Sequence, residues 1–480
     1  MEATEKERLV PARLALVGNL AHTPNLGELE VLLDHVVSLD SYGRISAMAE
    51  ANSPLGRKLL ASAQQVEHLS KSQFLLPGFV DTHYHAPQHV YTGTGTDLPL
   101  MSWLQRHAFP AERSLAGDTS LAGEVYSRVV DQCLSLGTTC AVYFASINVE
   151  PSLALAEIAI EKGQRAFIGK VSMDQGGQDG YCETTADALL HAEEFIHKVR
   201  SGSTCLLTSP IITPRFLPTC SVELLKGLGV LAAKYNLAIQ SHISESADVV
   251  HLCRDMEAIN GDCRDVQVFD TCNLLTPRTV LAHGVHLNDE EMQVLAQRGC
   301  TVSHCALSNA FFGNGVFRTR EALNMGMNIA LGTDVAGGYS PSMLGAMRTA
   351  VLASRILHDG ADTYLHGGEV RPQAISPIRR DISYIDALWM ATVGGARAVG
   401  LDDTIGSFAV GKDFDALLMD VSRGGSGAHI HVSDADDLSD VVQKAIHLAD
   451  DRHIARVFVK GQVVRELPPE AVGESVPGPD

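Results

Sequence analysis

Residues 74–85 read FLLPGFVDTHYH. An apolar run of strand length ends in polar residues, the pattern of a buried strand whose far end opens onto something polar. His83 and His85 stand two apart at that end. Period two along a strand points both imidazoles to one face, and two converging imidazoles are what a metal ion needs. Alone the pair is a weak signal, since most histidines in such pairs are ordinary core or surface residues.

Working outward, similar runs recur: TTCAVYFAS (138–146), RAFIGKVS (165–172), LLTSPIITP (206–214), AIQSHISE (238–245), VLAHGVHL (280–287), TVSHCALSN (301–309) and NIALGTDVA (328–336). Helical patterns such as VELLKGLGVLAAKYN and DEEMQVLAQRG lie between them, several ending on Gly or Asn as helix C-termini do. Eight β/α alternations predict an α/β protein, a (β/α)8 TIM-type barrel. The competing architecture is an open doubly wound sheet. The barrel is favoured because polar residues gather at the C-terminal ends of the strands, where barrel active sites lie. Strand-like runs also occupy 8–50 and reappear after 403, in DFDALLMDV and ARVFVKGQVV. They predict a small composite β-sandwich domain built from both chain ends. The expected division is 1–76 and 403–466 for that domain, 77–402 for the barrel, and 467–480 for a flexible tail.

The composition bounds the rest. At 480 residues, 45% hydrophobic and 20% charged, the chain has ample material for a large core. Its net charge of −20 argues against nucleic acid or an anionic membrane as partner. No apolar run is long enough to span a bilayer. The N-terminus carries charges where a signal peptide needs an apolar stretch. Ten cysteines without a C-x-x-C pair read as free thiols in a reducing, cytoplasmic setting.

The weight behind His83 and His85 comes from coincidence. His242 lies in the fifth strand run with Glu245 three residues on, His283 ends the sixth, and Asp334 ends the eighth. Three His and one Asp satisfy one divalent ion and leave a position for water. Zinc suits that set, and ferrous iron fits it as well. Glu245 then has a use as a proton shuttle and His283 as a group that orients water. Without the first pair, Glu245 reads as a solvated cap and His283 as a hydrogen-bonded core residue. His191-Ala192-Glu193 matches half of another zinc-deaminase signature, but the P-C-x-x-C half is missing, so it reads as exposed helix surface. Phosphate-binding glycine loops are absent.

PGFVDTHYH, SHISE (241–245) and GTD (332–334), in that order, resemble the amidohydrolase superfamily. Within it, PGFVDTHYHAPQ (77–88), DLPLMSWLQRHAFPAE (97–112), ITPRF (212–216), SHCALSNAFFGNG (303–315) and LGTDVAGGYSPSML (331–344) resemble the barrel-type guanine deaminases. The resemblance spans nearly the whole chain and implies the following. His83, His85, His242 and Asp334 bind one zinc ion per chain. Glu245, His283 and Asp334 carry the catalysis, and guanine loses its amino group to give xanthine and ammonia. Gln88, Arg215 and Phe216 contact the purine beside His85, Glu245 and Asp334. The residue types make sense: Arg donates to the C6 carbonyl, a Gln amide donates and accepts, and Phe packs on a ring face. The bland alternatives are a surface ion pair for Arg215, core for Phe216 and a loop position for Gln88. His304 and Asn309 are expected to shape the mouth, and Trp103 to be a packed lid or core residue. Related two-metal enzymes place a carboxylated lysine at the fourth strand's end; SPIITPR has none, which favours one metal. The resemblance also implies a homodimer. A relative acting on another aminated heterocycle would share the metal set and differ at Gln88 and Arg215. An inactive barrel scaffold would lack ligands. The stretch 360–382 matches no motif of the family.

Overall fold

A computed structural model describes residues 13–177, 180–202, 207–254, 264–357, 381–424 and 430–468. The 360–380 part of the unmatched stretch and the tail beyond 468 lie outside the described residues.

The N-terminal strands are β1 (Leu14–His22), β2 (Glu30–Leu39), β3 (Ile45–Glu50), β4 (Gln65–His68) and β5 (Gln73–Pro77). Alternation along β1 sorts its residues. Leu16 and Leu20 join an apolar cluster with Val37, Leu75, Phe414 and Phe458, while Ala15 and Val17 pack on the other face with Leu59 of the helix Pro54–Ser62.

The eight runs expected for a barrel all form strands. They are β6 (Phe79–His85), β7 (Thr138–Phe144), β8 (Arg165–Gly169) with β9 (Val171–Ser172), β10 (Thr208–Pro210) with β11 (Thr213–Pro214), β12 (Ile239–Ile243), β13 (Thr279–His283), β14 (Thr301–His304) and β15 (Asn328–Leu331). They pair in parallel as β6-β7-β8-β10, β9-β11 and β12-β13-β14-β15. A bridge between Ile212 and Ile239 joins the halves on one side. On the other, Asp334 N–H donates to His83 O at 2.9 Å and His85 N–H to Val335 O at 3.1 Å. The protein is a TIM-type α/β fold.

The intervening helices bury one stripe each. Thr119–Ser135 turns Ala122, Val125, Tyr126, Val129, Val130 and Cys133 inward, the three-and-four spacing of an amphipathic helix. Asp118 caps its start and Asn288 that of Asp289–Arg298, while Asn236 and Gly299 end their helices in left-handed conformation. The helix expected over 383–401 runs from Tyr384 to Ala398 with a π turn at Met390–Gly394. No described helix is long and apolar enough to cross a membrane.

The chain returns in β16 (Ala416–Asp420), β17 (Ile454–Val459) and β18 (Gln462–Glu466). β16 pairs antiparallel with β5, so strands from both ends form one connected sheet in the order β18-β17-β16-β5-β1-β2-β3, with β4 beside β1. Arg165, at the start of β8, bolts this sheet to the barrel. Its guanidinium donates to Asp415 Oδ2 at 2.6 Å and to Asp413 Oδ2 at 2.7 Å, with all three side chains buried. Replacing Arg165 by Ala leaves Asp415 buried without its cation and Asp413 with the exposed Arg44 alone. A loss of about 3–5 kcal/mol is expected, read as a lower denaturant midpoint; an unchanged midpoint would show the bolt to be dispensable.

Candidate functional site

β6 is buried along its whole length. Asp81 Oδ1 accepts the N–H groups of His83 and Thr333, both at 3.1 Å, and Oδ2 accepts the Thr333 hydroxyl at 2.5 Å. Burial pushes the Asp81 carboxyl up to about 7 against the pull of these bonds. The clamp ties the end of β6 to the turn after β15. Gly332 permits the approach, since a Cβ there would lie 2.7 Å from that of His83. Tyr84, between the two histidines, faces the core against Tyr143.

His83 and His85 thereby meet Asp334. His83 Nε2 lies 3.2 Å and His85 Nε2 3.6 Å from Asp334 Oδ1. His85 Nε2 is 3.0 Å from His242 Nε2. The ligand atoms of His83, His85 and His242 fall within 4.8 Å of one another, as do those of His83, His283 and Asp334.

Neighbouring groups set the tautomers. His242 Nδ1 donates to Arg215 O at 2.6 Å, and His283 Nδ1 to Asn309 Oδ1 at 2.9 Å, which leaves each Nε2 as a lone pair turned inward. His83 Nε2 and His283 Nε2 are buried without a hydrogen-bond partner. Burial, followed by neighbouring positive groups, holds His83, His85 and His242 well below the usual imidazole range, so they are neutral. Neutral imidazoles with inward lone pairs beside a carboxylate fit a divalent cation.

Glu245, after β12, reaches within 3.6 Å of His283 Nε2. Burial, then the charge of Asp334, raises its carboxyl well above the usual range. Burial also raises Asp334. A cation at this point opposes both shifts. Ser244, His283 and Asp334 have φ of +43°, +78° and +50°. Such left-handed residues cost about 1–3 kcal/mol each and gather where function fixes the backbone.

The same cavity is walled by Gln88, Arg215 and Phe216, with Leu100, Trp103 and Phe312. Trp103 and Phe312 touch with ring centroids 4.8 Å apart. Phe216 sets its ring edge toward His242 at 6.1 Å. The expected catalytic, purine-contacting and metal-ligating residues other than His83 line this one cavity, whereas His304 and Asn309, expected to shape its mouth, do not.

Three participants had not been given these roles. Glu112, on the helix Phe109–Gly117, anchors Arg215 and Gln88. It lies in the segment 97–112, but nothing local separates it from a surface acid. Asp81 is the clamp, and Asn309 orients His283. His304 stands behind Asn309 and packs on Phe317. Lys170 pairs with Glu183, and His191 also donates to Glu183 at 2.6 Å. Glu193 accepts from the Tyr235 hydroxyl on the outer face of its helix.

The profile of the Amidohydrolase family matches residues 74–464. A probable guanine deaminase of Schizosaccharomyces pombe is 40% identical over 93% of this chain and 82% of its own length. Guanine deaminase of Mus musculus is 38% identical over 95% of this chain and 98% of its own. The crystal structure of guanine deaminase from C. acetobutylicum, with guanine bound in its active site, superposes with a TM-score of 0.81 at 29% identity, covering 94% of this chain and 99% of that one. The metal-ligand types, their order along the barrel and these likenesses agree: the chain belongs to the amidohydrolase family.

Proposed function

We infer that this chain hydrolyses guanine to xanthine and ammonia, with His83, His85, His242 and Asp334 holding one zinc ion. One observation carries the reading: a metal-ligand group and a wall of Arg215, Gln88 and Phe216 share a single cavity. A set of three imidazoles and one carboxylate suits zinc. When bound, the cation supplies Lewis acidity that brings the pKa of water from 15.7 toward ~7.

The protein's own residues do the remainder. Arg215 and Gln88 take the C6 carbonyl, Phe216 packs on the ring, and the C2 amino group is left facing Glu245. Glu245 takes a proton from the attacking water and passes it to the ring nitrogen beside C2. It then carries the second proton to the amine, which leaves as ammonia. His283, oriented by Asn309, and Asp334 hold the water against C2. Trp103 and Phe312 keep bulk water out. The eight described cysteines are free, which supports a reducing, cytoplasmic setting. The homodimer rests on family resemblance, and sedimentation of the purified chain tests it.

Guanine-to-xanthine conversion, followed spectrophotometrically, should vanish on chelation and return with zinc. Full turnover by chelated protein would overturn the assignment. Glu245→Gln should keep its metal and lose about 10²–10⁴-fold in kcat; normal turnover would remove Glu245 from the mechanism. Arg215→Ala should act mainly through KM, and a pure kcat loss would contradict its recognition role.

A further inference from the structure

Gln88 and Arg215 are not independent. Glu112 Oε1 accepts from Gln88 Nε2 and from an Arg215 Nη2 N–H, both at 2.9 Å, and its other oxygen accepts from Arg215 Nη1. Gln88 Oε1 in turn accepts from Ala336 N–H at 3.3 Å. Glu112 is 1% exposed, Gln88 1% and Arg215 2%.

A glutamine amide can turn over, exchanging its donor and acceptor ends. Here the reversed amide would set oxygen against the Glu112 carboxylate and NH2 against a backbone N–H. Both contacts are repulsive, so the two partners fix the amide. Its oxygen spends one lone pair on the backbone and is held on that side, while one Nε2 N–H remains to be donated. Arg215 has only N–H groups. The wall therefore offers a surplus of donors, which narrows the give-and-take that a glutamine by itself would allow.

We propose that Glu112 is the residue that makes the cavity choose 6-oxo over 6-amino purines. It acts through Gln88 and Arg215 as a positioning residue and does not itself line the cavity. A 6-amino group meets donors with a donor, and a site that leaves buried polar groups unpaired rejects the wrong analogue strongly. The proposal rests on the guanine reading above. Glu112→Gln removes the negative charge and sets an NH2 group where the second oxygen accepts from Arg215 Nη1, so the Arg215 anchor is lost in part.

Hypoxanthine and adenine test this, because neither carries the amino group that is removed and they differ only at C6 and N1. Each is measured as a competitive inhibitor of guanine turnover. Wild-type protein should bind hypoxanthine far more tightly than adenine. Glu112→Gln should cut that preference by about tenfold or more, with metal content unchanged. Equal weakening of both inhibitors would make Glu112 merely structural and overturn the proposal, as would a wild-type protein that binds the two alike. Should Glu112→Gln not fold, Gln88→Leu carries the test: the preference should again fall, and an unchanged preference overturns the relay. Wild-type protein that does not turn over guanine at all overturns the underlying reading instead.

Discussion

His85 Nε2 and His242 Nε2 face each other at 3.0 Å inside a buried cavity. The Nδ1 of His242 already donates to a carbonyl, so its Nε2 is a lone pair. Burial keeps both rings neutral, so no second proton sits between them. A proton on His85 Nε2 can bridge the pair, and a cation that takes its place meets two nitrogen lone pairs beside a carboxylate. The arrangement is that of a preorganised metal site. It holds because the surroundings leave these side chains nowhere to turn.

What holds them is the barrel's closure. The hydrogen bonds from Asp334 and His85 across the seam, the buried Asp81 clamp and the glycine at 332 bring the first and last strands into register. Binding energy and folding energy are thus coupled: a metal bound at the seam stabilises the contact that makes the seam. The wall of Gln88, Arg215 and Phe216 is a separate layer, on the segments that follow β6 and β11, and is braced by Glu112. The metal-ligand group sits at strand ends and the wall on the connections, the division that lets one barrel serve many reactions.

The strand ends were legible in the sequence because their signal is local. A buried strand announces itself by apolar runs, and a ligand at its end by residue type, so His83, His85, His242, His283 and Asp334 could be read from position alone. Glu112 could not. An acid in a helical segment looks the same whether it faces water or an arginine folded in from more than a hundred residues away. Asp81 was hidden likewise, since its partner Thr333 lies at the far end of the barrel's circuit. The β domain was visible as strands but not as an order, because β16 inserts beside β5 through contacts no local pattern encodes. The π turns at Leu104–Ala108, which follows Trp103, and at Asn309–Gly313, which contains Phe312, leave no compositional mark either.

The insertion of β16 beside β5 also bears on how the chain comes into being. On the ribosome, β1 to β5 emerge first, yet Leu75 must wait for Leu418 before its outer edge is covered. Throughout synthesis of the whole barrel that edge remains a template for other strands. The nascent protein therefore spends most of its elongation with an open flank, and release of the last strands is the event that seals it.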